Sequence, residues 1–135
     1  MSPRNWLFIG ALLGASAVGM GAFAAHGMKN YLQTRGVDLA TIDTRVENCE
    51  LATQYQLFHA LALLAVGILA LQQPNAWFTV SGFILVLGSI LFCGGIYYNA
   101  FAATPLHHLV VPSGGICFIV GWLAIAFGAT KLWVE

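Results

Sequence analysis

Charge is what this chain has least of. Five basic and five acidic residues, 7% of 135, give a formal net charge of zero. Nucleic acid, which demands a basic face, is therefore not expected as a partner. Three cysteines are an odd number and cannot complete a disulfide framework. Cys93 and Cys117 stand inside hydrophobic runs, where a thiol serves as a small apolar side chain, and Cys49 is flanked by Glu47 and Glu50, whose charges oppose a reactive thiolate. The sequence also lacks Cys/His metal spacing, a phosphate-binding loop, a dinucleotide fingerprint and a nucleophile elbow. Its apolar runs contain no carboxylate, which weakens proton-coupled transport, and no cofactor is expected.

What fills the space is hydrocarbon. Hydrophobic residues make up 59% of the chain and the mean hydropathy is +0.82, outside the range of water-soluble globular proteins. One all-α domain over 1–135 is predicted, an integral membrane bundle of four transmembrane helices with the lipid bilayer as its first partner. The first helix is expected over 5–27, where the run from Trp6 to Ala25 carries no charge and matches a hydrocarbon core of about 30 Å. Residues 29–46 read as a long polar loop, because seven of the ten charged residues fall between Lys29 and Glu50. Asp43 or Thr44 is the expected N-cap of a second helix over 47–72. Pro74-Asn75 ends that helix and opens a third over 76–101, and Pro112 sits in the first turn of a fourth over 112–132. Trp6, Trp77 and Trp133 fall at helix ends, as expected of rings that favour the membrane interface.

Two patterns carry chemistry or packing. Asn48, Tyr55 and His59 share one face of the second helix, running from a polar entrance into pure hydrocarbon. Four antiparallel crossings bring His26, Tyr55, His59, Tyr97, Asn99 and Ser113 to the loop-bearing side of the membrane as a candidate polar cluster, with Tyr98, His107 and His108 at the same rim. His59 lies about 12 Å of helix rise past Leu51 and needs a partner there. It reads either as glue between helices or as a group that holds a ligand or proton. A haem between His26 and His59 has only those two residues behind it. Small residues form the second pattern: Gly10, Gly14 and Gly21 on the first helix, Gly88 and Gly95 on the third, and Gly114, Gly121 and Gly128 at heptad spacing on the fourth. Such seams let helix backbones approach closely. Ala15, Gly19 and Ala22 lie on another face of the first helix, which predicts packing on more than one side.

Four segments together resemble a known family. They are Gly21-Ala22-Phe23-Ala24-Ala25-His26-Gly27, then Ala52 through Ala62 (ATQYQLFHALA), then Leu91 through Tyr97 (LFCGGIY), then Pro112-Ser113-Gly114-Gly115 through Gly121-Trp122. The chain is similar to the small four-helix membrane family called domain of unknown function 423, to which animal transmembrane protein 256 belongs. Ala24, Cys93, Gly95 and Val111 depart from the family pattern, and the first connection is longer. The resemblance implies a polytopic protein of the bacterial inner membrane and supplies no mechanism. Three readings of function stand beside it. One is an accessory subunit that binds other membrane proteins or itself through its small-residue seams. Another is a site for a lipid-like or quinone-like molecule at the His/Tyr cluster, and the third is a small transporter or membrane enzyme.

Overall fold

In hydrocarbon every backbone N–H and C=O must be satisfied internally, so the apolar runs of this sequence fold as helices. A computed structural model describes residues 1–102 and 104–132. Helix α1 spans Pro3–His26, α2 Met28–Thr34, α3 Leu39–Gln72, α4 Ala76–Phe101 and α5 Val110–Ala129. Among the described residues four of these, α1, α3, α4 and α5, are long and apolar enough to cross a membrane. Trp133 lies outside the described residues.

The long loop expected over 29–46 is helical instead. Helix α2 follows α1 with only Gly27 between them, and α3 begins at Leu39, so the connection shrinks to residues 35–38 with Gly36 at φ 71°. The N-cap of α3 is Asp38, whose carboxylate accepts the Ala40 N–H at 3.1 Å, rather than Asp43 or Thr44. Charge density misled the reading, because it hid an amphipathic pattern. Met28 and Leu32 on α2 and Ile42 and Cys49 on α3 are buried together with Ala24 and Ala100 in a second, smaller core. With 34 residues α3 is about 51 Å long and outreaches the hydrocarbon by several turns. Helix α2 lies against that projecting part, and Lys29 pairs with Asp43 across the two helices at 2.8 Å.

Inside the membrane, association rests on close packing. Helices α4 and α5 interlock in alternate steps. Phe78, Leu85 and Phe92 press on Gly128, Gly121 and Gly114, while Phe118 and Val111 press back on Gly88 and Gly95. In each pair the two residue numbers have the same sum, which is the signature of an antiparallel register without slip. Helix α1 packs on α3 in a similar way, with Gly10 against Ala60 and Leu64, Gly14 against Ala60, Gly21 against Thr53, and Leu7 against Gly67. Trp6 is not an interfacial ring. It is 1% exposed, lies on Gly82 and meets Phe83 edge-on at 5.0 Å. Trp77, at the start of α4, is 44% exposed and lies beside Phe127 at 5.6 Å.

One irregularity breaks this regularity. Over Ser89–Gly94, in the middle of α4, the chain widens into a π-turn. The Ser89 hydroxyl donates to the Leu85 carbonyl at 2.9 Å beside it. Such turns insert a surplus residue into an α-helix and recur at functional sites.

The interlock predicts unequal outcomes at two adjacent glycines. A methyl group at Gly114 would run into the Phe92 backbone, whereas one at Gly115 would touch only the Phe92 ring at 3.8 Å. Gly114→Ala is expected to destabilise the bundle by about 2–3 kcal/mol, and Gly115→Ala to stay within about 0.5 kcal/mol. Thermal unfolding in a mild detergent measures both, and equal melting temperatures would refute the α4–α5 packing.

Candidate functional site

Phe92, in the π-turn, lines an apolar groove. This cleft of about 750 Å³ runs between α3 and α5 with α4 behind it, and is lined by Tyr55, Phe58 and His59 from α3, Phe92 from α4, and Pro112, Gly115, Ile116, Phe118, Ile119 and Trp122 from α5. Helix α5 interlocks with α4 rather than with α3, so what joins α3 to α5 here is a stack of rings. The imidazole of His59 lies flat on Phe118, with centroids 3.4 Å apart and planes at 10°. Phe92 meets Tyr55 at 4.9 Å and Phe118 at 5.6 Å.

His59 is 5% exposed and both of its nitrogens are engaged. Nδ1 donates to the Tyr55 carbonyl one turn earlier at 2.7 Å, and Nε2 accepts from the Trp122 indole N–H at 3.3 Å. This pattern fixes the neutral ring with its proton on Nδ1. In that state His59 ties α3 to α5 and forms the floor of the groove. The polar group left for an occupant is the Tyr55 hydroxyl, which makes no hydrogen bond among the described residues. Tyr55 is 39% exposed and lies about 6 Å of helix rise past Leu51.

A second polar set lies on a neighbouring face of α3. Gln56 accepts the Tyr97 hydroxyl from α4 at 2.8 Å and donates to Ser16 Oγ at 2.7 Å and to the Leu13 carbonyl at 2.9 Å, both on α1. One amide thus holds three helices, with its donors and acceptor used in full view of a smaller apolar cleft between α1 and α4. The candidate cluster read from the sequence is therefore not one site. Tyr55 and His59 belong to the groove, while Tyr97 belongs to the Gln56 set. Asn99 accepts the Leu106 N–H at 2.7 Å and braces the α4–α5 connection, and Ser113 donates to the Val110 carbonyl at 2.7 Å within its own helix. His26 is exposed and without a side-chain partner among the described residues, and the rings of His107 and His108 lie 4.3 Å apart with their planes tilted by 31°. Sequence reasoning missed Gln56, Trp122 and Phe118 as site residues. The i to i+4 spacing of Phe118 and Trp122 marked one face of the fourth helix, but nothing in the sequence pointed that face at His59.

The family described as "Protein of unknown function (DUF423)" matches residues 20–115. A UPF0382 membrane protein of Haemophilus influenzae is 37% identical over 128 residues, covering 95% of each chain. The UPF0382 inner membrane protein YgdD of Escherichia coli K12 is 33% identical over 132 residues, covering 98% of this chain and 94% of its own. A UPF0382 membrane protein of Staphylococcus epidermidis is 31% identical over 128 residues, covering 95% and 97%. No solved structure matches. With four apolar spans, these likenesses place the chain in the bacterial inner membrane.

The Gln56 set gives a prediction. Gln56→Leu leaves the Tyr97 hydroxyl without its partner in a low-dielectric region and is expected to lower stability by about 1–2 kcal/mol. Adding Tyr97→Phe should cost little more, and the double-mutant cycle should return a coupling of about 1 kcal/mol. Strict additivity would mean that the bond contributes nothing.

Proposed function

The chain belongs to the DUF423 family of integral membrane proteins, and on that footing we propose that it holds a lipid-like molecule in the groove between α3 and α5. The observation that carries this reading is the groove itself: about 750 Å³ of apolar, ring-lined space inside the bilayer, with one uncommitted hydroxyl, Tyr55, toward its membrane edge. Its size lies within the range of small-molecule sites, which are mostly apolar with few polar groups to fix orientation. A transmembrane helix is a poorer occupant. Close helix packing wants small residues on both sides, and here Phe58, Ile116, Ile119 and Trp122 form the walls. The chain of the occupant lies along Phe92 and Ile119, and its head meets Tyr55. A quinone-like molecule is the case with an aromatic head.

Gly115→Phe fills the groove from a position where a Cβ meets only the Phe92 ring. Native mass spectrometry of gently extracted protein is expected to show a retained small hydrophobic molecule, reduced about tenfold in Gly115→Phe with the same melting temperature. An empty wild-type protein, or equal retention by the variant, sinks the reading.

A second reading, an accessory subunit or homo-oligomer, is favoured by a face of α1 rather than by the seam of α5. The glycine seam of α5 is filled by α4 of the same chain. On α1, however, Ala11, Ala15, Gly19 and Ala22 form an exposed small-residue face, and a Cβ at Gly19 would meet nothing within 4 Å. Partner helices fit such a face. Gly19→Leu is then expected to dissociate the assembly seen by crosslinking in membranes, and an unchanged crosslinking pattern would eliminate this surface.

A further inference from the structure

Where α2 turns into α3, the structure holds a second, chemically different cleft. It encloses about 500 Å³ and is lined by Tyr31, Leu32, Arg35, Gly36, Val37, Asp38, Thr41, Arg45 and Phe101. We propose that this cleft binds the phosphate of an anionic phospholipid through the Arg35 and Arg45 guanidinium groups.

Three observations converge on that ligand. The first is unspent positive charge. Among the described residues the single ion pair is Lys29–Asp43, so neither arginine is neutralised by a carboxylate. Arg45 uses Nη1 to donate to the Ala100 and Ala102 carbonyls at 3.2 and 3.3 Å, which locks its stem at the end of α4 and leaves Nε and Nη2 without partners among the described residues. Arg35 rests on the Tyr31 ring at 5.1 Å, a geometry that orients the guanidinium plane without consuming its donors. Arginine's planar fork suits phosphate oxygens. Asp38 is the one opposing group in the lining, and its Oδ1 is engaged in capping α3 at Ala40. Two guanidinium groups against one carboxylate leave the cleft positive.

The second observation is the wall beneath the arginines. Phe23 near the end of α1, Tyr31 on α2 and Phe101 at the end of α4 form a triangle of rings with centroids 6.0 to 6.2 Å apart. Phe23 and Phe101 close the apolar ends of two crossing helices, so this triangle stands at the level where hydrocarbon meets headgroups. A free phosphate ion has no use for such a wall. The chains of a phospholipid do.

The third is the depth of the site. Helix α3 continues past the hydrocarbon, which lifts Arg45 and the α2 hairpin into the headgroup layer, where basic pockets between helices recognise lipid headgroups. The site is distinct from the groove at His59 and shares no lining residue with it.

Delipidated protein in a neutral detergent, titrated with phosphatidylglycerol or with phosphatidylcholine of the same chains and read by native mass spectrometry, tests the assignment. Phosphatidylglycerol is expected to bind at least tenfold more tightly than phosphatidylcholine. Arg35→Ala changes an exposed side chain and should reduce that binding about tenfold with an unaltered helical spectrum. Arg45→Lys keeps the charge, loses the fork and should reduce it severalfold. Equal binding of the two lipids, or full binding by Arg35→Ala, overturns the proposal. Displacement of phosphatidylglycerol by equimolar inorganic phosphate overturns it as well, by showing that the cleft reads a free oxyanion rather than a lipid.

Discussion

In this molecule the backbones of α4 and α5 can touch, and most other placements follow from that contact. Lipid tails are as apolar as leucine, so no hydrophobic force gathers helices within the hydrocarbon, and shape has to do it. Phe78, Leu85 and Phe92 against Gly128, Gly121 and Gly114 supply that shape. The same interlock fixes Phe118 against Gly88 and thereby sets the ring on which His59 lies. With α5 bound to α4 and α1 bound to α3, helices α3 and α5 are left apart, and the ring-lined groove is the space between them.

Polar side chains play a part that glycine cannot. Gln56 joins α1, α3 and α4, and His59 joins α3 to α5 with neither ring nitrogen left over. Each is a buried polar group with its partners in place, which is the condition for tolerating such groups in hydrocarbon. The two are three residues apart, about 60° around α3, so neighbouring faces of this central helix are tied to α1 and α4 and to α5 at nearly one depth.

Much of this was legible in the residues, and the remainder was hidden for physical reasons. Four charge-poor runs of spanning length give the helix number, and Gln73-Pro74-Asn75 gives one boundary, because proline and a capping side chain act locally. The heptad of Gly114, Gly121 and Gly128 announced a tight seam, but spacing alone does not say whether the other side of a seam belongs to the same chain. Charge between Lys29 and Glu50 suggested a loop, whereas Met28, Leu32, Ile42 and Cys49 carry helical spacing beneath it and needed weighing against the charge. Side-of-membrane reasoning brought His26, Tyr97, Asn99 and Ser113 toward His59. It fixes depth and leaves rotation about each helix axis free, and rotation is what separates Tyr97 from Tyr55.

The π-turn at Ser89–Gly94 joins two halves of one helix that must keep step with more than one neighbour. Gly88 before it and Gly95 after it both stay in register with α5, and just beyond it Tyr97 reaches Gln56 on α3. Because each residue turns an α-helix by about 100°, the number of residues in this stretch is as much a part of the architecture as their chemistry. Lengthening or shortening it by one would rotate Tyr97 out of reach while leaving every side chain of the bundle unchanged in kind.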